Sequence, residues 1–338
     1  MYPRVSVIIL NWNGTKDTIE CLQSFKAVTY DNYQLILVDN GSEPEKLQEL
    51  KDWCNLNYKR IYNYTRIQTE NKEYVCNLTS DIYEKNSLII IENGENLGFA
   101  AGNNVAIRFS LALGYEYTLL LNNDTTVEAN FLTELMDLML HNNTIVALTP
   151  QIRYFHDKER IWNCGGRIAW YANRIYNYAN KKYSVLPKVD FIKIEFITGC
   201  ALLFQPLRTG ILSELFFFGE EDFEFSLRLK KNKLGVACAL KSIIYHKVGG
   251  SISHYKNQIN KIFLFYASRL INLKYYYKGY KMFIIKFIYK IYILFFLIYR
   301  QRLGLIKSLK FLCRLIKFVQ KNKQIRKEQF IQIINYKI

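Results

Sequence analysis

Residues 5–14 read VSVIILNWNG and residues 35–42 read LILVDNGS. The run 5–10 is continuous, apolar and rich in β-branched residues, the pattern of a parallel strand buried on both faces. Asn11-Trp12-Asn13-Gly14 turns the chain. Over residues 15–28 the apolar positions Ile19, Leu22 and Phe25 predict a helix, with Thr15 or Asp17 near its start. Residues 35–38 form a second buried strand that ends in Asp39-Asn40-Gly41-Ser42. A β–α–β start with polar residues at both strand ends predicts an open α/β sheet, and such sheets bind ligands at the carboxyl edge of their strands.

Further strands are predicted over 88–91, 117–121 and 145–148, the last closed by Pro150. The stretch 95–104 leads into a helix predicted to reach about residue 113, stopped by Gly114, and a further helix is predicted over 131–140. Residues 55–86 are polar, rich in Asn and Tyr and weakly patterned, and read as an insertion or long loop. After residue 150 the pattern changes. Irregular strands are expected over 160–178, a strand over 196–204, a helix over 221–233, a strand over 236–240, and a loop over 245–251.

The 338 residues can hold one large or two modest domains, and half of them are hydrophobic. The net charge of +17 is unevenly placed. Residues 256–338 carry 19 Lys and Arg against one acid, Glu328, which leaves 27 basic and 28 acidic residues for 1–255. The chain is a near-neutral body with a basic tail. Seven scattered Cys without a CxxC spacing argue for a reducing compartment and against a disulfide framework or a zinc site. The N-terminal apolar run lacks a cleavable pattern and reads as a strand, not a signal peptide.

In the tail, Lys307, Lys310, Arg314, Lys317 and Lys321 recur at helical spacing. Leu305, Leu309, Leu312, Ile316 and Val319 follow the same rhythm on the other side, predicting an amphipathic helix with a cationic face. Residues 282–299 are very apolar but contain Lys286 and Lys290, and the charge-free stretch 291–299 is too short to span a bilayer. The tail is therefore expected to lie on a membrane. The competing reading is a nucleic-acid binder, with the tail on phosphates. The near-neutral body and the apolar backing of the basic face speak against it.

Residues 216–228, FFFGEEDFEFSLR, place Glu220, Glu221, Asp222 and Glu224 among five Phe rings. Carboxylates amid so much apolar surface suggest a tuned acid or base, while the acids also suit a helix N-terminus. Asp39 reads either as an acceptor for a nucleotide base or ribose, or as the centre of an Asx-turn. Asp124, in LLLNNDT, reads as a metal ligand or a cap. Gly98, Ala101 and Gly102 allow close backbone approach to a ligand or tight helix–strand packing. No P-loop is present, and no GxGxxG follows a strand.

NWNG, VDNGS, ENLGFAAGNN, LLLNNDT, ITGC, GEEDFEFSLR and YHKVGGS occur in this order. Together they resemble the family 2 glycosyltransferases of GT-A fold, in particular the rhamnosyltransferase-like branch of bacterial polysaccharide assembly, over about residues 4–255. The resemblance implies an α/β fold with a mostly parallel sheet flanked by helices. Residues 1–255 would be the catalytic domain, with 1–125 the nucleotide-sugar half and 126–255 the acceptor half, and 256–338 a membrane-associating tail. It implies that Asp39 contacts the nucleotide base and that Asn11, Asn13, Asn40, Asn96, Gly98, Asn103 and Asn123 line the nucleotide-sugar site. Asp124 would bind a divalent cation, Mg2+ or Mn2+, with His246 a further ligand. Asn122 stands where a strict DxD has Asp. Asp222 would be the catalytic base, with Glu221 second choice.

The implied activity is an inverting transfer of rhamnose or another hexose from a nucleotide-diphosphate donor to a hydroxyl of a polyprenyl-diphosphate-linked oligosaccharide, in O-antigen or capsule synthesis. The implied place is the cytoplasm, peripheral at the inner face of the plasma membrane, with no nucleic-acid partner. An inactive scaffold of the same fold is the other alternative.

Overall fold

The β–α–β start is present in the computed structural model, which describes residues 2–76, 78, 86–248 and 257–336. β1 (Val5–Asn11) leads through α1 (Thr15–Ser24) to β2 (Tyr33–Asp39), and the two strands pair in parallel from Val5↔Tyr33 to Asn11↔Asp39. That register sets Asn11 beside Asp39. Alternation along β1 sends Val5, Val7 and Ile9 into one core layer and Ile8 into the other. Ser6 is tolerated at full burial because its hydroxyl pairs with Thr118 Oγ1 at 3.0 Å.

The next stretch differs from expectation. α2 (Pro44–Asn57) is followed by β3 (Arg60–Thr65), α3 (Arg66–Glu70) and α4 (Lys72–Cys76), so much of the presumed loop is regular. β3 is an edge strand, parallel to β4 (Ser87–Glu92) and mostly accessible to solvent. An edge strand with one dry side reads RIYNYT, and its polarity hid it. Residues 77 and 79–85 of that predicted insertion lie outside the described residues.

α5 (Phe99–Ala112), β5 (Tyr117–Asn122), β6 (Thr125–Val127), α6 (Phe131–His141) and β7 (Ile145–Tyr154) come next. β7 continues past Pro150. Pro150 faces Ala239 where the pairing register slips, so its missing N–H falls at a sheet irregularity. The body is completed by β8 (Ile161–Asn163), β9 (Gly166–Ile168), β10 (Arg174–Tyr176), β11 (Phe191–Lys193), β12 (Ala201–Phe204), α7 (Pro206–Thr209), α8 (Glu221–Lys231) and β13 (Gly235–His246). β13 reaches six residues beyond its predicted end, which puts His246 on a strand rather than in a loop.

The main sheet runs β11-β13-β7-β12-β5-β1-β2-β4-β3, mostly parallel, with β12 antiparallel to β5 and β7. One core layer packs under α1, α2 and α6, the other under α5 and α8.

The tail forms α9 (Gln258–Tyr276), α10 (Gly279–Phe295, prolonged by a π turn Phe296–Arg300), α11 (Leu305–Lys321) and α12 (Lys327–Ile334). α11 has the predicted bounds but a rotated buried face. Ser308, Phe311, Leu312, Leu315 and Val319 are buried, whereas Leu305 and Leu309 are exposed. Phe311 seats edge-on against Phe263 of α9, and that ring contact sets the rotation. The four helices share a third core with Phe196, Phe216, Phe223 and Leu227 of the body.

Candidate active site

Three strand ends build one half of the site. Asp39 is buried, with one partner on the neighbouring strand and two in the turn that follows it. Its Oδ1 accepts from Asn11 Nδ2 at 3.1 Å, and its Oδ2 accepts from the backbone N–H groups of Gly41 and Ser42, each at 3.1 Å. This is the Asx-turn reading realised, and it fixes the loop after β2. Asn11 Oδ1 in turn accepts from Gly14 N and Thr18 Oγ1, shaping the start of α1. Asn13 sits at φ 57° and accepts from Glu43 N at 2.8 Å.

Asn40 is a four-way tie. Its Nδ2 donates to Asn96 Oδ1 and Gly98 O, and its Oδ1 accepts from Asn93 Nδ2 and Leu97 N. Thus Asn11, Asn13, Asp39, Asn40, Asn96 and Gly98 are brought together. Asn123 docks on Thr18 Oγ1 at 2.9 Å. Asn103 is set apart: it is buried and its amide donates to Phe99 O within its own helix.

Asp124 and His246 meet although far apart in sequence, because β6 pairs antiparallel with β13 and sets Thr125 opposite His246. His246 Nε2 lies 3.1 Å from Asp124 Oδ1, yet neither that oxygen nor His246 Nδ1 has an aligned hydrogen-bond partner, and both are buried. Trp162 packs edge-on against the imidazole at 4.4 Å between ring centres. A carboxylate and an imidazole side by side, with Asp124 Oδ1 and His246 Nδ1 lacking aligned hydrogen bonds, can serve a divalent cation such as Mn2+ that takes its other ligands from phosphate and water. Among the described residues no group of three or more His, Cys, Asp or Glu gathers in a ligating arrangement.

The other half is the start of α8. Glu220 adopts a left-handed conformation, φ 72°, after Gly219 at φ 80°. A non-glycine residue held there is strained and needs tertiary support. The support comes from the tail. Arg269 of α9, fully buried, forms a two-pronged ion pair with Glu220, Nε–Oε2 2.6 Å and Nη2–Oε1 2.7 Å. Its guanidinium stacks on Phe223 at 3.7 Å, and Asn272 Nδ2 donates to Glu220 O.

Glu221 and Asp222 follow. Burial, then the neighbouring Asp222, push Glu221 up to about 8, and Glu221 Oε2 lacks a partner. Burial also raises Asp222, opposed by Arg174 of β10, whose Nη1 is 3.5 Å from Asp222 Oδ1. Burial, which favours the neutral acid, thus works against the helix start and Arg174, which favour the carboxylate.

The turn 198–200 joins the halves. Cys200 O accepts from Asn122 N at 2.8 Å, while a side chain at Gly199 would meet Phe99 and Asp222 Cβ. A Cβ on Gly98 would lie 2.0 Å from Phe217 O, so only glycine lets the loop before α5 touch the stretch before α8.

Arg174 and Arg269 were missed in the sequence. Arg174 lies in a weakly patterned stretch and reaches Asp222 only through tertiary folding. Arg269 did leave a signal: a lone cation in FLFYASRLINL, a helix otherwise suited to burial, requires a buried partner. For Arg174→Met, the acid limb of the kcat/KM–pH profile should move to higher pH. The lost cation favoured the ionised form of Asp222, so its removal raises that group further. An unmoved limb would separate Arg174 from the rate-controlling carboxyl.

The sequence profile of Glycosyl transferase family 2 matches residues 6–77. The low-salt glycan biosynthesis hexosyltransferase Agl10 of Haloferax volcanii is 23% identical over 251 residues, covering 73% of this chain and 68% of that protein. The fold resembles the structure of GalNAc-T7 with UDP, GalNAc and Mn2+ at TM-score 0.53 and 16% identity, over 80% of this chain and 51% of that one. It also resembles the mannosyltransferase PcManGT of Pyrobaculum calidifontis in complex with GDP-Man and Mn2+, at TM-score 0.52 and 13% identity, over 95% of this chain and 76% of that one. The chain thus spans about half the length of GalNAc-T7 and about two thirds of the haloarchaeal relative.

Proposed function

We propose that this chain, whose sequence and fold are similar to family 2 glycosyltransferases of GT-A fold, transfers rhamnose or another hexose, with inversion, from a nucleotide-diphosphate donor to a hydroxyl of a polyprenyl-diphosphate-linked oligosaccharide. Assembly of a bacterial surface polysaccharide, O-antigen or capsule, is the setting that suits such an acceptor. The observation that carries the reading is the placement of two acidic centres, Asp124 with His246 and Glu221 with Asp222, on either side of the turn 198–200.

In this reading the loops after β1, β2 and β4 hold the nucleotide, with Asn11, Asn40 and Asn96 fixing their shape through the bonds described above. Asp124 and His246 would hold the divalent cation, Mg2+ or Mn2+. Such a cation, when bound, supplies positive charge against the diphosphate. Asp222 accepts the proton of the acceptor hydroxyl as that oxygen attacks the anomeric carbon and the bond to the diphosphate breaks. Glu221, held largely protonated near neutral pH by its burial, leaves Asp222 as the ionised member of the pair. Arg174 stabilises that ionised form.

The mononucleotide-diphosphate requirement is testable by thermal shift on the full chain with a panel of nucleotide sugars, with Mg2+, Mn2+ or a chelator. One donor should stabilise the protein, by about 2.7 kcal/mol at a hundredfold excess over its Kd. Chelation, or Asp124→Asn, should remove most of the gain. A panel without any stabilising donor, in either metal, would overturn the reading. The tail then works at the cytoplasmic face of the membrane, a proposal supported by its 19 basic residues against one acid.

A further inference from the structure

α10 and its π turn cover 22 residues, Gly279–Arg300, enough to cross a bilayer by length and composition. Its surroundings point elsewhere. One side of the helix, Met282, Ile285, Tyr289, Ile293 and Leu297, is buried in the core that the tail shares with the body. Tyr289 stands at mid-helix, and its hydroxyl donates to Ala172 O of the β9–β10 hairpin at 2.9 Å and meets Arg269 Nη1 at 3.4 Å. Were α10 to span, this anchor would carry the hairpin, with Arg174 and the acidic site behind it, to the bilayer centre.

The opposite side is apolar and uncovered. Tyr280, Phe283, Phe287, Ile291, Phe295 and Tyr299 follow at steps of 3, 4, 4, 4 and 4, a single stripe along the helix. Tyr280 is 79%, Phe283 70% and Tyr299 71% exposed. A stripe of this length on a folded surface marks a contact surface. Lys281, Lys286 and Lys290 are exposed beside it, and no Asp or Glu occurs between residues 225 and 327.

We propose that this face of α10 lies in the plane of an anionic lipid bilayer, aromatic rings at the headgroup–acyl boundary and lysines reaching back to the lipid phosphates. Aromatic rings favour that depth, and lysine stems can bury while their charges stay wet. Charge selects the occupant: a second copy of the chain would bring one cationic flank against another. The proposal rests on the membrane setting proposed above and specifies the surface that meets it. The catalytic body is then held against the bilayer through Tyr289 and Arg269, without a spanning segment.

The test is co-sedimentation of the full chain with vesicles of phosphatidylcholine alone or mixed with phosphatidylglycerol. The unaltered chain should bind the mixed vesicles, and a triple variant, Phe283→Ser with Phe287→Ser and Phe295→Ser, should bind at least tenfold more weakly while keeping its melting temperature. Trp placed singly at 280, 291 and 299 should be quenched by lipids brominated near the headgroup, all three alike. Equal binding by the triple variant would overturn the proposal. So would deep quenching at 291 with shallow quenching at 280 and 299, the signature of a span. Concentration-dependent dimers that vanish in the triple variant, without a change in vesicle binding, would assign the face to self-association and overturn it too. Asp222→Asn should bind vesicles normally, so failure of the docking surface and failure of the transferase reading are separable.

Discussion

Asp222→Asn should lose transfer by about 10²–10⁴-fold, the usual contribution of a positioned general base. The amide keeps the shape and most contacts of the carboxyl but accepts no proton. In the proposed reading the donor is held by the loops after β1, β2 and β4, so the thermal shift from the nucleotide sugar should survive. Glu221→Gln is the matched control. Glu221 is buried and pushed up to about 8, with one oxygen unpartnered, so near neutral pH it is mostly uncharged already. Its amide variant should retain far more activity than the Asp222 variant. The reverse ranking, measured as initial rates with saturating donor, would transfer the base role to Glu221.

Arg269→Met should destabilise the fold by about 3–5 kcal/mol, the cost of stranding one partner of a buried ion pair. Global stabilities are of order 5–15 kcal/mol, so this is a large fraction. Arg269 is fully buried and Glu220 nearly so, and the pair is joined at both oxygens. The urea midpoint of the full chain measures the effect. Glu220→Gln combined with Arg269→Met should recover much of the loss, because no unpaired charge remains. Transfer should stay low in the double variant, since the left-handed Glu220 that starts α8 loses its clamp. A single variant with an unchanged midpoint would show that the pair does not hold the turn.

These contacts alter what removal of the tail reports. Truncation before residue 256 takes away Arg269, Asn272 and the Tyr276 hydroxyl that donates to Glu224, and uncovers Phe216 and Phe223. Such a protein loses part of its core, so its behaviour with membranes does not isolate the anchor. Outward substitutions on α10 do.

The parallel half of the sheet was readable because its strands are buried on both faces and so are apolar throughout, as in residues 5–10 and 35–38. β3 was not, since an edge strand with one wet side carries the same composition as a loop. The motif acids were legible by type and position at strand ends, but their mates were not. Register decides that Asn11 faces Asp39, and the β6–β13 pairing decides that His246 reaches Asp124. The rotated face of α11 escaped a wheel-based reading, because both its sides bear apolar residues and tertiary contacts such as Phe263 with Phe311 and Phe318 choose between them. The acidic stretch 216–228 looked self-sufficient in sequence; its geometry depends on a cation 49 residues away.

The stretch before α8 is also clasped from the far end of the chain: Phe217 N donates to Ile325 O at 2.8 Å, and Phe330 packs on Phe217 and Phe218. During synthesis the N-terminal β–α–β units emerge first and can begin folding, as domains do on the ribosome. The turn bearing Glu220–Asp222 waits for its last supports until residue 330 has been made. A nascent chain therefore cannot complete the acidic turn ahead of its own C-terminal helices, and a prematurely terminated one yields the N-terminal β–α–β units with an unsupported acidic turn.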